Sequence, residues 1–447
     1  VIQDVIRRYN EGFDDSTAAE THSQLQAALE AADLSFGGRL LCHVLRPQLL
    51  SEAEYAAIRA ECALLMAALD RAYRALMEDA ALRAELALSS LEEAAIGIEP
   101  HFASPTPFAR LDSFFSHTDG SLKFVEYNAE TPAGVGYEDV LAGIFLDLPP
   151  VRRLAAQFPV RAIEGTGVVL ATLLDLFREA GLSGSPAVAI VDWSNVPTKR
   201  EHEIMAERFR ELGVPAVVGA PDELRYAGGV LLLGDVVVNI IYKRVLAGEL
   251  LEACGLEHPL VRALRDGAAI MANGFRCKVL HKKAIFAVLS DERFAHLYAP
   301  AEQAAIAAHV PWTRRVADRA TVFEGREIDL LEWAEGQREQ LVLKPNDDYG
   351  GRGVVLGWEV DDAAWSAALR EGLDAPTVVQ ARVQTAPEPF PLWDGRRLTI
   401  EPRTVDLDPY AYGGQVVHGV LTRLSATGLL NVTAGTGSVA PTLIVDL

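Results

Sequence analysis

Arg110, Asp112, Glu126 and Asn128 form two alternating runs, Arg110-x-Asp112 and Glu126-x-Asn128, on either side of the turn signal Thr118-Asp119-Gly120. Two carboxylates and an amide offer only oxygen ligands, the donor set of a hard cation such as Mg²⁺, which completes its shell with water and substrate phosphates. The β-favouring residues Phe108, Phe114, Phe115, Phe124, Val125 and Tyr127 predict strand, turn and strand from Pro107 to Pro132. A three-residue loop with Gly120 in the left-handed position would pair His117 with Ser121. Asp112 then faces Glu126, Arg110 faces Asn128, and opposed Cβ atoms lie about 4.5 to 5.5 Å apart. Carboxylates that close repel unless something positive lies between them; Arg110 supplies one charge and a metal ion the rest. A two-residue loop would shift the pairing by one, and the plain alternative is a solvated face with an ordinary salt bridge.

The second chemical run is Val342-Leu343-Lys344-Pro345-Asn346-Asp347-Asp348-Tyr349-Gly350-Gly351-Arg352-Gly353-Val354. A strand delivers Lys344, and a loop with Gly350, Gly351, Gly353 and Arg352 turns back into another apolar strand. Glycine backbones approach phosphate oxygens closely and their N–H groups form an anion nest. The order is not that of a Walker A loop, and an ordinary glycine hairpin is the competing account. Lys278, Lys282 and Lys283 cluster at the start of an apolar helix, and Val378-Val379-Gln380-Ala381-Arg382-Val383 reads as a strand that could show backbone groups to an adenine edge. Surface charge and a core strand are the bland alternatives. Arg403, Asp406, Asp408, Thr422-Arg423 and the run Asn431 to Ser438 complete the inventory. Gly435-Thr436-Gly437 lacks the third glycine and downstream acid of a dinucleotide fingerprint, which excludes that class.

Elements must hold these groups. With 447 residues the chain exceeds one ordinary hydrophobic core, so two or three domains are expected. Half of the residues are hydrophobic and the net charge is −21, which disfavours a grip on nucleic acid or anionic lipid and leaves a compact ligand held by local cations. Four scattered cysteines, Cys42, Cys62, Cys254 and Cys277, show neither disulfide nor zinc spacing; together with the absence of an apolar leader they suggest a cytoplasmic protein. Ser51-Glu52-Ala53-Glu54 predicts a capping box opening a long amphipathic helix. Between Pro186 and Arg244, apolar runs alternate with a helix around Glu201 to Leu212, as in a parallel α/β unit. Pro387 to Pro391 reads as a linker or loop.

The ordered set RxD … ExN, Lys283 heading a helix, KPxxxxGGRG and a VVQ strand resembles the circularly permuted ATP-grasp families, which include the synthetase domain of glutathionylspermidine synthetase. In ordinary ATP-grasp enzymes the metal-binding Glu and Asn follow the nucleotide-binding lysines; here Glu126 and Asn128 precede them. The resemblance implies an α/β (α+β) ATP-grasp fold, circularly permuted, with a Rossmann-like pre-ATP-grasp domain and a helical N-terminal region. It divides the chain into a helical region (1–98), the metal-binding hairpin (99–150), the Rossmann-like domain (165–270), the nucleotide-binding lid region (271–385) and the rest of the core (386–447). ATP and Mg²⁺ are the implied cofactors. Asp112, Glu126 and Asn128 would hold Mg²⁺, Arg110 would contact the transferring phosphate or acyl group, and Arg352 would sit on a mobile lid near the γ-phosphate. Lys344 and either Lys283 or Lys278 would reach the phosphates, with Gly350, Gly351 and Gly353 beneath them. Val379, Gln380 and Ala381 would form the adenine hinge, although Ala381 stands where many relatives have glutamate; Arg423 and Asn431 match the closing segment more loosely. The implied activity is carboxylate–amine ligation of small molecules or peptides through an acyl phosphate. A phosphotransferase and a non-catalytic nucleotide-binding protein are the alternatives on the same fold.

Overall fold

The computed structural model describes residues 1–426 and 437–447. Ser51 and Glu54 close the expected capping box, each side chain accepting from the other's backbone N–H. The helix they open, α1 (Glu52–Glu78), buries Ile58, Cys62, Leu65 and Leu69 in the same apolar core as Ala109, Leu111, Phe124 and Tyr127 of the hairpin β1 (Phe108–Phe115) and β2 (Leu122–Asn128).

In that hairpin Asp112 pairs with Glu126 and Arg110 with Asn128, as expected, but by a different route. The turn is one residue longer than a three-residue loop: Ser116, not His117, pairs with Ser121, and Gly120 takes φ +72°. Next to the turn Ser113 therefore faces Phe124, and the register returns to Asp112 opposite Glu126 through a bulge that inserts Val125. The bulge also reverses the side-chain alternation of β2. Leu122 and Phe124 point into the core before it, and Tyr127 and Ala129 after it, which leaves Glu126 and Asn128 on the other face.

A parallel sheet follows, built from β3 (Val188–Val191), the helix α2 (Lys199–Glu211), β4 (Ala216–Gly219), β5 (Ile240–Lys243) and β6 (Ile270–Ala272), in the order β6-β5-β3-β4. Its strands are apolar throughout because both faces are covered. Val188, Ile190 and Ile240 pack with Leu173 and Phe209 on one side; Ala189, Val191 and Ile241 pack with Leu250 and Leu260 on the other. The apolar run from Val230 to Tyr242 is interrupted at Gly234: Val230–Leu233 and Val236–Val238 belong to a separate antiparallel sheet, and only β5 joins the parallel one.

Two short helices, α3 (Lys278–His281) and α4 (Ala284–Ser290), lead to an antiparallel sheet of β7 (Thr313–Arg315), β8 (Leu341–Pro345), β9 (Val355–Leu356) and β10 (Thr377–Ala381), ordered β7-β10-β8-β9. The stretch read as a proline-rich loop is instead the strand Glu388–Trp393, paired with the first half of β11 (Leu398–Tyr412). A strand with one partner tolerates Pro389 and Pro391, whose missing N–H groups leave no gap in an interior ladder. With β12 (Val416–Ser425) and β13 (Ser438–Ala440), β11 joins the hairpin in the order β13-β12-β11-β1-β2.

Asn273, directly after β6, fastens these layers together. Its amide donates to the carbonyls of Phe108 (2.6 Å), Ala129 (2.7 Å) and Glu130 (3.1 Å), and its side-chain oxygen accepts from Phe108 N–H (2.9 Å). One buried side chain thus ties both strands of the hairpin, at their base, to the parallel sheet.

Candidate functional site

The antiparallel register lays a row of charge across four neighbouring strands. Arg423 on β12 stands opposite Asp406 on β11, β11 runs beside Arg110 and Asp112 on β1, and β2 adds Glu126 and Asn128. Arg110 grips Asp112 with both prongs of its guanidinium, Nε to Oδ1 at 2.7 Å and Nη2 to Oδ2 at 2.8 Å, and donates through Nη1 to the Ala133 carbonyl at 3.1 Å. Arg423 Nη2 reaches Asp112 (2.8 Å), Asp406 (2.5 Å) and Asp408 (2.9 Å).

Burial raises the cost of every charge in this row, and the balance differs from one residue to the next. For Asp112 the desolvation is outweighed by Arg110 and Arg423, and its pKa falls to about 2. Burial wins at Asp408, whose pKa is pushed well above the carboxylate range, and also raises Asp406. Glu126, one strand over, is held below its ordinary value because Lys283 and Lys344 outweigh its burial.

Both lysines come from the nucleotide-type motifs. Lys283 precedes the first residue of α4 and places Nζ 3.2 Å from Glu126 Oε1 and 2.6 Å from the Asp348 carbonyl. Lys344 on β8 donates to the Val125 carbonyl (3.1 Å) and to Gln380 Oε1 (2.7 Å). Burial pulls its pKa down to about 8, aided by Lys283 and opposed by Glu126 and Asp112. The hairpin and the two lysine segments, far apart in the chain, therefore meet at Glu126.

Of the two lysines left open by the sequence, Lys283 is the one at the hairpin. Lys278 is held away by Glu130 (3.1 Å) and Asp347 (2.6 Å), and Lys282 by Glu92 (2.8 Å) and Asp347 (2.5 Å). Asp347 begins the glycine loop, so these two lysines clamp the loop's entrance. Gly350, Gly351 and Gly353 all take positive φ, and a Cβ at Gly353 would stand 2.7 Å from Pro345 Cγ. Arg352 is exposed on this loop, its guanidinium 4.9 Å from the centre of the Tyr349 ring.

The expected adenine edge at Val379, Gln380 and Ala381 is not a free edge. β10 lies inside its sheet, paired with β8 on one side and β7 on the other, and Ala381 N–H is taken by the Trp312 carbonyl. The alternation of apolar residues that revealed this strand carries no information about its neighbours. Gln380 contributes by its side chain, bridging Lys344 and Thr313. Asn431 lies outside the described residues.

Asp406 and Asp408 carried no assigned role, and Glu130 none at all. Their parity was the available signal: Asp406 and Asp408 alternate along one strand as Arg110 and Asp112 do, and Glu130 continues the Glu126, Asn128 alternation. Glu130 is fully buried, accepts from Ala247 N–H and pairs with Lys243 and Lys278, which together outweigh its burial and depress its pKa.

The donors fit a hard cation. Asn128 Oδ1 is buried with no hydrogen-bond partner among the described residues, beside Glu126 and Asp112, so an all-oxygen set has one member free to ligate. Across the row the carboxylates of Asp112, Asp406, Asp408 and Glu126 face the cations Arg110, Arg423, Lys283 and Lys344.

No family model matches the chain. A Frankia alni protein named glutamate–cysteine ligase 2-3 is 28% identical across 71% of this chain, and glutamate–cysteine ligase 2-2 of Frankia casuarinae is 26% identical across 71%. The chain spans only 36% of the length of each of these relatives. An uncharacterised Mycobacterium tuberculosis protein is 25% identical over 77% of this chain and 61% of its own length. Among solved structures, the apo form of a glutathione synthetase-like effector from Globodera pallida superposes with a TM-score of 0.60, over 95% of this chain and 96% of that one, at 12% identity. The two share a fold.

Proposed function

We propose that this chain is an ATP-dependent carboxylate–amine ligase with a circularly permuted ATP-grasp core. The observation that carries the reading is the meeting of Lys283 and Lys344, from the two lysine motifs, with Glu126 of the Asp112/Glu126/Asn128 hairpin. The ligase names of the Frankia relatives and the fold shared with a glutathione synthetase-like protein support it. In this reading the hairpin (99–150) and residues 386–447 build the core floor, 271–385 the nucleotide-binding lid and 165–270 a Rossmann-like pre-ATP-grasp domain, with a helical region over 1–98.

Asp112, Glu126 and Asn128 would hold Mg²⁺, which supplies charge neutralisation between the phosphates of ATP. Lys283 would then exchange Glu126 for a phosphate oxygen, and Lys344 would turn from Gln380 in the same way. Arg352 and the glycine loop would close over the γ-phosphate. Arg110, already fixed by Asp112 and Ala133, would present its remaining N–H groups to the acyl phosphate. A substrate carboxylate attacks the γ-phosphorus, ADP leaves, and an amine displaces phosphate from the acyl carbon. Positioning and electrostatics suffice for this chemistry, so no nucleophilic side chain is required.

The test is an ADP-release screen over paired carboxylates and amines, beginning with glutamate and cysteine, with product masses read afterwards. Hydroxylamine should trap an acyl hydroxamate. ATP consumption that yields a stable phosphorylated product and no hydroxamate would make the protein a phosphotransferase instead.

A further inference from the structure

The parallel sheet contains a second polar cluster, away from the charged row. In the order β6-β5-β3-β4, the chain leaves β3 through α2 toward β4 but leaves β5 in the opposite direction toward β6. Neighbouring parallel strands whose connections diverge open a crevice beyond their carboxyl ends, where such sheets take their ligands. Asp192 follows β3, Arg244 follows β5, and Glu201 and His202 lie in the first turn of α2, so all four belong to this crevice.

Three of them are deeply buried and incompletely satisfied. Glu201 is 1% exposed; Oε1 accepts from the N–H groups of Gly134 (2.6 Å) and Gly136 (3.3 Å), while Oε2 has no partner among the described residues. Arg244 is 6% exposed; Nη1 donates to the Pro132 carbonyl (2.7 Å), while Nε has no partner among them. His202 is 1% exposed, with Nε2 unpartnered and 3.7 Å from Asp192 Oδ2. Burial, reinforced by Arg244, pushes the His202 pKa down to about 3, so its ring is neutral. Arg244 also draws Glu201 and Asp192 down against the burial that raises them, so its field reaches the other three groups.

We infer that this crevice is a subsite for the α-ammonium and α-carboxylate of an amino acid, the carboxylate on Arg244 and the ammonium on Glu201 Oε2. Leaving a buried guanidinium N–H and a buried carboxylate oxygen unpaired is costly, and a small zwitterion satisfies both at once. An anion alone would leave Glu201 unpaired, and a cation alone would leave Arg244. The exit loop of the hairpin joins the crevice to the charged row: Arg244 holds Pro132, Arg110 holds Ala133 and Glu201 holds Gly134. A ligand on Arg244 and Glu201 is therefore separated from Arg110 by one stretch of backbone.

This assignment rests on the ligase reading, since it names one of that enzyme's substrates. The test is calorimetry of the full chain with the proteinogenic L-amino acids, each beside its α-amide and its N-acetyl derivative, and with Mg-ADP titrated in parallel. At least one amino acid should bind with a Kd below 1 mM, and each blocked derivative should lose at least tenfold. Glu201→Gln, which keeps the oxygen that caps Gly134, should weaken the amino acid by more than tenfold and leave Mg-ADP affinity within twofold. Mg-ADP binding without any amino acid binding overturns the subsite and leaves the ligase reading standing. Binding that survives blocking of both groups overturns it equally. Absence of Mg-ADP binding counts against the ligase reading itself.

Discussion

Asp112 stands directly opposite Glu126 because Val125 is one residue too many for a regular ladder. Without that bulge the turn would set Phe124 and Glu126 on the same face, and a carboxylate would point into the core that holds Leu111 and Phe124.

Deleting Val125 removes the extra residue and leaves a regular ladder: Phe124 opposite Ser113 is followed directly by Glu126 opposite Asp112, so Leu122, Phe124 and Tyr127 stay in the core and Glu126 and Asn128 stay on the other face. Chemical denaturation should therefore show a loss of about 1 kcal/mol or less for the deletion, as for Val125→Ala, whose bulge persists. A loss above about 3 kcal/mol, the scale of a buried uncompensated charge, would refute the role given to the bulge.

Glu126→Gln keeps the shape of the site and removes the charge that Lys283 and Lys344 share. ADP release should fall on the order of 10² to 10³-fold, as for other preorganised charge sites, in a variant that circular dichroism shows still folded. A variant as active as the parent takes the hairpin out of the mechanism.

Lys344 titrates near pH 8, below its ordinary 10.5. A lysine whose folded pKa is lowered weakens the fold below that pKa, so its contribution to stability improves as pH rises from 8 toward 10.5. Phosphate prefers the charged amine, so nucleotide affinity moves the opposite way and falls as pH rises through 8. Calorimetry of Mg-ADP at pH 8.5 in buffers of different ionisation enthalpy should register proton uptake, and Lys344→Arg should abolish it. Proton release on binding would contradict this assignment.

Asn273→Ala leaves the Phe108 N–H and three carbonyls without their side-chain partner. The expected loss is about 2 to 4 kcal/mol, from buried groups stripped of hydrogen bonds. Activity should fall with it, because Phe108 and Ala129 flank the two halves of the metal-type motif. A drop below about 0.5 kcal/mol, the scale of a surface change, would exclude the clasp.

Much of this site was legible because its chemistry is written in local patterns. The Arg110/Asp112 and Glu126/Asn128 alternations, Lys344 before a glycine loop and the apolar runs around Val188 and Ile240 each depend on residues near in sequence. What escaped depends on partners far away. Val125 looks like any strand residue, so nothing local marks the bulge. Gln380 sits on a recognisable strand, yet only the packing of β7 and β8 says that its backbone is occupied. Asn273 is a lone asparagine after an apolar run, and its four bonds reach segments more than 140 positions away. The strand Glu388–Trp393 was hidden by prolines that usually break ladders, and an edge position removes the objection.

The pairing of Arg110 with Tyr410 joins β1 to β11 across most of the chain. Closing so large a loop carries an entropic penalty that local contacts do not repay, and topologies dominated by such contacts fold slowly. The charged row is therefore complete only once that loop has closed. Until β11 arrives, Asp112 lacks Arg423, and a partly folded chain holds hairpin and lysines without the sheet that aligns them.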